Sequence, residues 1–155
     1  MTVSIRTAGP DDMPALSEAL ARLSADLGDD HRAGEAELAA ALSRGVARAQ
    51  IAGDVPSGLA LYSPVFSTVA GGAGLYVSDL WVAEGARGRG LGRRLLAAAA
   101  ADARREWEAL FLTLAVYEYS RAARAFYERL GFAPVTGQTR MMLSEAGFAA
   151  LEGER

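Results

Sequence analysis

Residues 87–94 read Arg-Gly-Arg-Gly-Leu-Gly-Arg-Arg and join an apolar strand pattern, "LYVSDLWV" (75–82), to an alanine-rich helical run. A strand, a glycine-rich turn and a helix in that order point to an α/β domain with a sheet at its centre. The charge on the turn says more. The start of a helix is the positive end of its dipole and disfavours cations, so four arginines there make electrostatic sense only if an anion belongs at that end. Glycines at 88, 90 and 92 let backbone amides converge on such an anion. The free amides of the first helical turn add to them. Arg87, Arg89, Arg93 and Arg94 can supply forked hydrogen bonds to phosphate oxygens.

Two familiar phosphate motifs do not fit. Counting from Gly88, the sixth position of a dinucleotide fingerprint is Arg93 rather than glycine. The Walker pattern needs a lysine, and all sixteen basic residues of this chain are arginine. What remains, from Arg87 to Gly92, is R-x-x-G-x-G. Taken alone it suits a solvated glycine-rich turn as well as an anion cradle.

The rest of the chain supplies elements on both sides of that turn. "TVSIRTA" (2–8) alternates as a short strand. "GPDDMPALSEALARLSADLG" follows, with apolar residues Met13, Leu16, Leu20, Leu23 and Leu27 at spacings of three and four, an amphipathic helix stopped by Gly28. A weaker helix is predicted over Glu35–Ser43. Residues 47–82 read as three strands, broken at Gly53-Asp54 with Pro56 and at Gly71-Gly72. The helix after the arginine turn is predicted from about Gly90 to Glu106. "ALFLTLAVY" (109–117) is a dense apolar run fit for a central strand buried on both faces. "SRAARAFYERLG" (120–131) is a helix closed by Gly131. "FAPV" and "TRMMLS" are short strand candidates turning at Gly137.

At 155 residues the expectation is one domain spanning 1–155, long enough to bury a core. The longest unbroken apolar run, Leu95 to Ala101, is too short to span a bilayer, and no secretory signal follows Met1. With no cysteine, disulfides and thiolate chemistry are excluded, and the cytoplasm is the default address. A single histidine, His31, excludes a multi-histidine metal site, so no metal is expected. The net charge of −3 speaks against a general nucleic-acid-binding surface. Without lysine there is no Schiff-base chemistry.

Two blocks in sequence decide between the readings of the turn. "LYVSDLWVAEGARGRGLGRRLL" resembles the fourth strand, pyrophosphate loop and following helix of the GNAT superfamily of N-acetyltransferases. "LFLTLAVYEYSRAARAFYERLGF" is similar to that family's fifth strand and to its helix ending in F-Y-x-x-L-G-F, here Phe126 to Phe132. The resemblance covers about Val3 to Leu143 and is strong in the second half. It implies a mixed, mostly antiparallel α/β sheet flanked by helices, with strands four and five splayed to hold acetyl-CoA. It also implies transfer of an acetyl group from acetyl-CoA to an amine. By position Leu80 and Val82 would offer backbone contacts to the pantetheine arm. The backbone of Arg87, Gly88, Arg89, Gly90, Leu91 and Gly92, with Arg93, would hold the pyrophosphate.

The resemblance makes Tyr127 the acid that protonates the leaving thiolate and the Leu80 amide the donor to the thioester carbonyl. Ser120 stands where the family usually has asparagine; with Ala123 and Tyr127 it falls on one helix face, and it suits either a bond to pantetheine or an N-cap. Where polyamine-type relatives carry Glu-Asp on the fourth strand, this chain has Ser78-Asp79, so direct deprotonation by a glutamate is lost. Asp79 remains as a water-mediated proton acceptor, or as a plain strand-edge aspartate, with Glu118 and Tyr119 as weaker substitutes. The segment "SADLGDDHRAGEAE" (24–37) carries Asp26, Asp29, Asp30, Glu35 and Glu37, either an acidic rim for a small cationic or polyamine-like amine or a solvated loop. His31 is expected to be an exposed loop residue. Trp81 and Tyr62 suit the acceptor pocket and the core equally. A protein N-terminus is the next acceptor class, and a CoA-binding sensor without turnover is the competing reading. The oligomeric state is not written in the sequence; family members are often dimers, so the resemblance allows a homodimer.

Overall fold

Alternation along the middle of the chain builds a sheet covered on both sides. The computed structural model describes residues 2–154, in two units, one running to Tyr117 and the other starting at Glu118. The first holds five strands: β1 (Ile5–Thr7), β2 (Arg48–Ala52), β3 (Gly58–Ser67), β4 (Gly72–Val82) and β5 (Leu112–Leu114). They lie side by side in sequence order. The first three pairings are antiparallel and the last, β4 with β5, is parallel. A parallel neighbour needs a crossover, and helix α3 (Leu91–Trp107) supplies it.

Odd-numbered strand residues Ala49, Ile51, Leu59 and Trp81 pack with Met13, Leu16, Ala19 and Leu20 of α1 (Met13–Leu27) and Leu38 of α2 (Glu35–Ser43). Even-numbered Arg48 and Tyr62 reach Asp102 of α3. Because successive side chains of a strand point to opposite faces, α1 and α2 cover one face and α3 the other. Leu91, Leu95, Leu96, Ala99 and Ala103 form the buried stripe of α3, each leucine contributing about 2 kcal/mol by leaving water.

Trp81 and Tyr62 are therefore core residues, 5% and 0% exposed, rather than walls of an acceptor pocket. Tyr62 belongs to a buried polar cluster. Asp102, 2% exposed, accepts from Arg48 Nε at 2.6 Å and Nη2 at 2.9 Å and from the Tyr62 hydroxyl at 2.5 Å. Gln50 Nε2 donates to the Tyr62 oxygen and to Thr7 Oγ1, both at 2.9 Å. Burial alone would raise the Asp102 carboxyl, but the hydrogen bonds from Arg48 and Tyr62 and the charges of Arg48 and Arg105 outweigh it and hold the group below its ordinary value.

A carboxyl depressed on folding stabilises above its unfolded pKa, near 4, and loses that contribution as pH falls through the folded value. Asp12, held at about 2 chiefly by Arg6 hydrogen bonds, has the same sign. Acid unfolding should therefore set in below about pH 4. Asp102→Asn removes the buried counter-ion of Arg48 and leaves it only the half-exposed Glu106 at 3.6 Å. It should cost about 2 kcal/mol, less than the loss of a fully buried pair, lowering Tm by roughly 4–8 °C. Thermal melts at pH 7 and pH 4 check both; the variant should lose less on acidification than the parent.

Two expectations fail. The apolar run 109–117 gives no central strand: only Leu112–Leu114 pair, at the sheet edge and half buried, because β4 offers a partner no farther than Val77. In the second unit, "FAPV" and "TRMMLS" form no strands. That unit carries α4 (Arg121–Arg129) and an unpredicted α5 (Glu145–Glu152), whose first turn is capped by Ser144 Oγ accepting from the Gly147 amide. Met141 and Met142 lie exposed before it. Among the described residues no helix is long and apolar enough to cross a membrane.

Candidate active site

One extra residue in β4 shapes the site. The β3–β4 register runs Tyr62↔Val77 and then Leu61↔Asp79, so Ser78 is a bulge without a partner. Its hydroxyl donates to the Leu61 carbonyl at 3.3 Å. Bulges bend a strand and interrupt its ladder, and the parallel pairing with β5 stops at Val77↔Leu114, immediately before it. Beyond that point β4 continues to Val82 paired with β3 alone, with no strand on its β5 side. The gap is a notch between the ends of β4 and β5.

The bulge also decides which backbone groups line that notch. Before it, odd residues face β5: the Leu75 amide donates to the Phe111 carbonyl at 3.0 Å, and the Ala73 carbonyl accepts from the Leu110 amide at 2.8 Å. After it the phase is set by the Ala83 amide, which donates to the Ser57 carbonyl of the β3 side at 2.8 Å. Backbone groups alternate along an antiparallel ladder, so Leu80 and Val82, in register with Ala60 and Gly58, direct their amides and carbonyls away from β3 into the notch. The Val82 carbonyl accepts from Arg87 Nε at 3.0 Å on that side.

The arginine turn follows a 3₁₀ turn at Glu84–Ala86. Gly88 and Gly90 have φ of +74° and +76°, and a Cβ at either would meet nothing of the protein within 4 Å. The left-handed backbone explains the glycines; the open space above them is what an approaching anion needs. Gly90 is the N-cap of α3 and its carbonyl accepts first from the Arg94 amide, at 3.2 Å, which leaves the amides of Leu91, Gly92 and Arg93 without an intrahelical acceptor. Arg89 and Arg93 are exposed. Arg94 is engaged elsewhere, its Nη2 donating to the Val3 carbonyl at 2.7 Å. The Arg87 amide is also used, by the Glu84 carbonyl at 3.3 Å.

Asp79 stands one residue past the bulge, half buried. Burial pushes its carboxyl up and the Asp29 charge adds to that, while the Ser78 hydrogen bond and His31 pull it down; the net direction is up. His31 is exposed and its Nδ1 lies 3.1 Å from Ser24 Oγ. The acidic segment is partly engaged within the protein. Asp29 Oδ1 accepts from the Tyr117 hydroxyl at 2.7 Å, Asp26 Oδ2 lies 3.7 Å from Arg87 Nη2, and Glu37 Oε2 accepts from the Gly34 amide at 3.0 Å. Asp30 and Glu35 are exposed.

In the second unit Ser120, Ala123 and Tyr127 are half buried and Arg121, Ala122, Arg124 and Ala125 exposed, so the three share the covered face of α4. Ser120 occupies the N-cap position, yet its side chain makes no capping bond. The Tyr127 ring meets Phe126 and Phe132 edge-on, at centroid distances of 5.1 and 5.5 Å. Burial raises its hydroxyl, which keeps the proton on it. Glu118 and Tyr119 are exposed.

The acetyltransferase (GNAT) family profile matches residues 17–132, three quarters of the chain and every element just described from α1 to the Phe132 contact. The chain belongs to the GNAT acetyltransferase family. A blasticidin-S acetyltransferase from Streptomyces morookaense is 43% identical over 58 residues, 37% of this chain and 41% of that protein, so the match spans about two fifths of the relative's length. The GNAT fold is shared with a ribosomal-protein-alanine N-acetyltransferase from Brucella melitensis biovar Abortus 2308, with a TM-score of 0.74 at 21% identity over 91% of this chain and 99% of that one. An integron cassette protein from V. cholerae superposes with a TM-score of 0.77 at 24% identity, covering 98% of each chain.

Within this GNAT frame two site contacts escaped the sequence: Asp26 with Arg87, and Tyr117 with Asp29. Both join residues 61 and 88 positions apart, respectively, the separations following from the residue numbers. The only local hint is that the acidic run of 26–30 faces a chain whose sole cations are arginines and one histidine.

Proposed function

We propose that this GNAT protein transfers the acetyl group of acetyl-CoA to a primary amine by direct attack within a ternary complex. The observation that carries the reading is the phase of β4 after the bulge. It turns the Leu80 and Val82 backbone groups into a notch with no strand on the β5 side, and the chain runs on from Val82 through the arginine turn to the amides at the start of α3. An extended pantetheine arm with alternating amides fits such an edge as an added strand would, and a pyrophosphate fits the helix start beyond it.

On this reading the Leu80 amide polarises the thioester carbonyl, an oxyanion contact of the kind that stabilises developing charge. The amine nitrogen bonds to the carbonyl carbon as the C–S bond breaks. Tyr127 donates its proton to the departing sulfur, and the proton shed by the amine passes through water to Asp79, whose burial makes it a stronger base than an exposed carboxylate. Ser120, free of capping duty, is left to hydrogen-bond the pantetheine arm. Asp30 and Glu35 favour a small cationic acceptor over a neutral one. The absence of a glutamate at Ser78 supports the second reading, a CoA-binding sensor without turnover.

Titration calorimetry with acetyl-CoA, with dephospho-CoA and NAD as comparisons, tests the foundation of both. Selective binding of acetyl-CoA is expected, followed by acetylation within a panel of primary amines. A folded protein that binds none of the three would overturn the acetyltransferase reading; binding without turnover on any amine would favour the sensor.

A further inference from the structure

The end of α1 is fastened to both walls of the notch. On the β4 side Asp26 Oδ2 lies 3.7 Å from Arg87 Nη2, with both side chains more than half exposed. On the β5 side the Tyr117 hydroxyl holds Asp29 Oδ1 at 2.7 Å. Asp26 and Asp29 are three residues apart, so a piece of chain no longer than about 10 Å reaches from one wall to the other. Arg87 is not free to drift: its Nε is bound to the Val82 carbonyl at 3.0 Å, while Nη2 is the atom that meets Asp26.

A carboxylate is the simplest stand-in for a phosphate oxygen on a guanidinium. We propose that Asp26 occupies on Arg87 the place that the cofactor's pyrophosphate takes, and that acetyl-CoA binding exchanges one for the other, freeing the last turn of α1 from the β4 wall while Asp29 stays tethered to Tyr117. The inference rests on the acetyl-CoA reading above. The exchange runs in that direction because the pair is long, exposed and single-contact, the kind that contributes little. A pyrophosphate gains the same guanidinium together with the amides of Leu91, Gly92 and Arg93. Asp26 thereby sets cofactor affinity through competition, and cofactor loading changes the placing of the connection that carries Asp29 and His31, whose charges act on Asp79.

The test is a double-mutant cycle read by acetyl-CoA titration. Asp26→Asn should bind acetyl-CoA about 2–5-fold tighter than the parent, the scale of an exposed ion pair, and the gain should vanish in 0.5 M salt, at which the Debye length is only about 4–5 Å. Glu18→Gln removes the same charge from the same helix, where its partner is Arg22 at 2.7 Å, and should leave affinity unchanged. In an Arg87→Ala background the Asp26→Asn gain should disappear. Equal affinities for Asp26→Asn and Glu18→Gln, or a gain that survives Arg87→Ala, overturn the exchange while leaving the acetyl-CoA site standing. A parent protein that binds no acetyl-CoA brings down both.

Discussion

Tyr127→Phe should lower kcat by two to four orders of magnitude while the dissociation constant for acetyl-CoA stays within about twofold, the span that positioned general acids contribute. The prediction follows from what the substitution removes. The ring keeps its edge contacts with Phe126 and Phe132, so α4 should hold its packing and only the hydroxyl is lost. Because burial holds that hydroxyl protonated, the parent carries the proton across the neutral range and its rate should show no fall there from loss of this acid. Stopped-flow release of CoA thiol, set beside calorimetric binding, separates the two quantities. A variant that turns over as fast as its parent would remove Tyr127 from the chemistry, and a protein whose parent shows no turnover at all would pass to the sensor reading.

Gly90→Val should weaken acetyl-CoA binding by about 100-fold, equivalent to the loss of one or two charge-assisted hydrogen bonds. Position 90 has φ of +76° and empty space where a Cβ would stand, so the branch point of the added side chain meets no protein atom and stands where the proposed anion approaches. The left-handed backbone is strained for a β-branched residue and costs on the order of 1–2 kcal/mol of stability, less than most domains carry. A melting curve must accompany the titration. Gly85→Ala, in a turn with right-handed backbone and the same open space, is the matched comparison and should change neither. An unchanged affinity in a folded Gly90→Val protein would take the turn out of the cofactor site.

How far these residues could be read in advance depends on how local their signals are. The turn from Arg87 to Gly92 was legible because conformation, charge and helix start sit within a few residues of one another. The strand breaks at Gly53 and Gly71 and the helix stop at Gly28 were legible for the same reason, and β2, β3, α1 and α2 followed. The run 109–117 was misread because its apolar residues say nothing of where the neighbouring strand stops, and that limit lies 34 residues upstream, at the Ser78 bulge. Residues 132–144 misled in the opposite way, by alternation too short to outweigh the absence of a partner. The helix after them had a usable signal, Ser144 followed by Glu145 with Phe148 and Leu151 three residues apart. The Asp102 cluster joins positions 48, 62 and 102. Its one trace in the sequence is a carboxylate standing on the stripe of Leu95, Ala99 and Ala103, where an unpaired charge would be costly.

The Ser78 bulge has a genetic corollary. The ladder pairs Tyr62 with Val77 and then Leu61 with Asp79, so an allele that replaces Ser78, or loses its codon in frame, keeps those pairs next to each other and leaves Leu80 and Val82 turned toward the notch. What the in-frame loss removes is the extra residue and the bend it puts into β4. Such an allele would still spell out the arginine turn and the Phe-Tyr helix letter for letter. A search by motif would count it as an intact acetyltransferase; comparing the deletion with a plain replacement of Ser78 would tell the bend apart from the side chain.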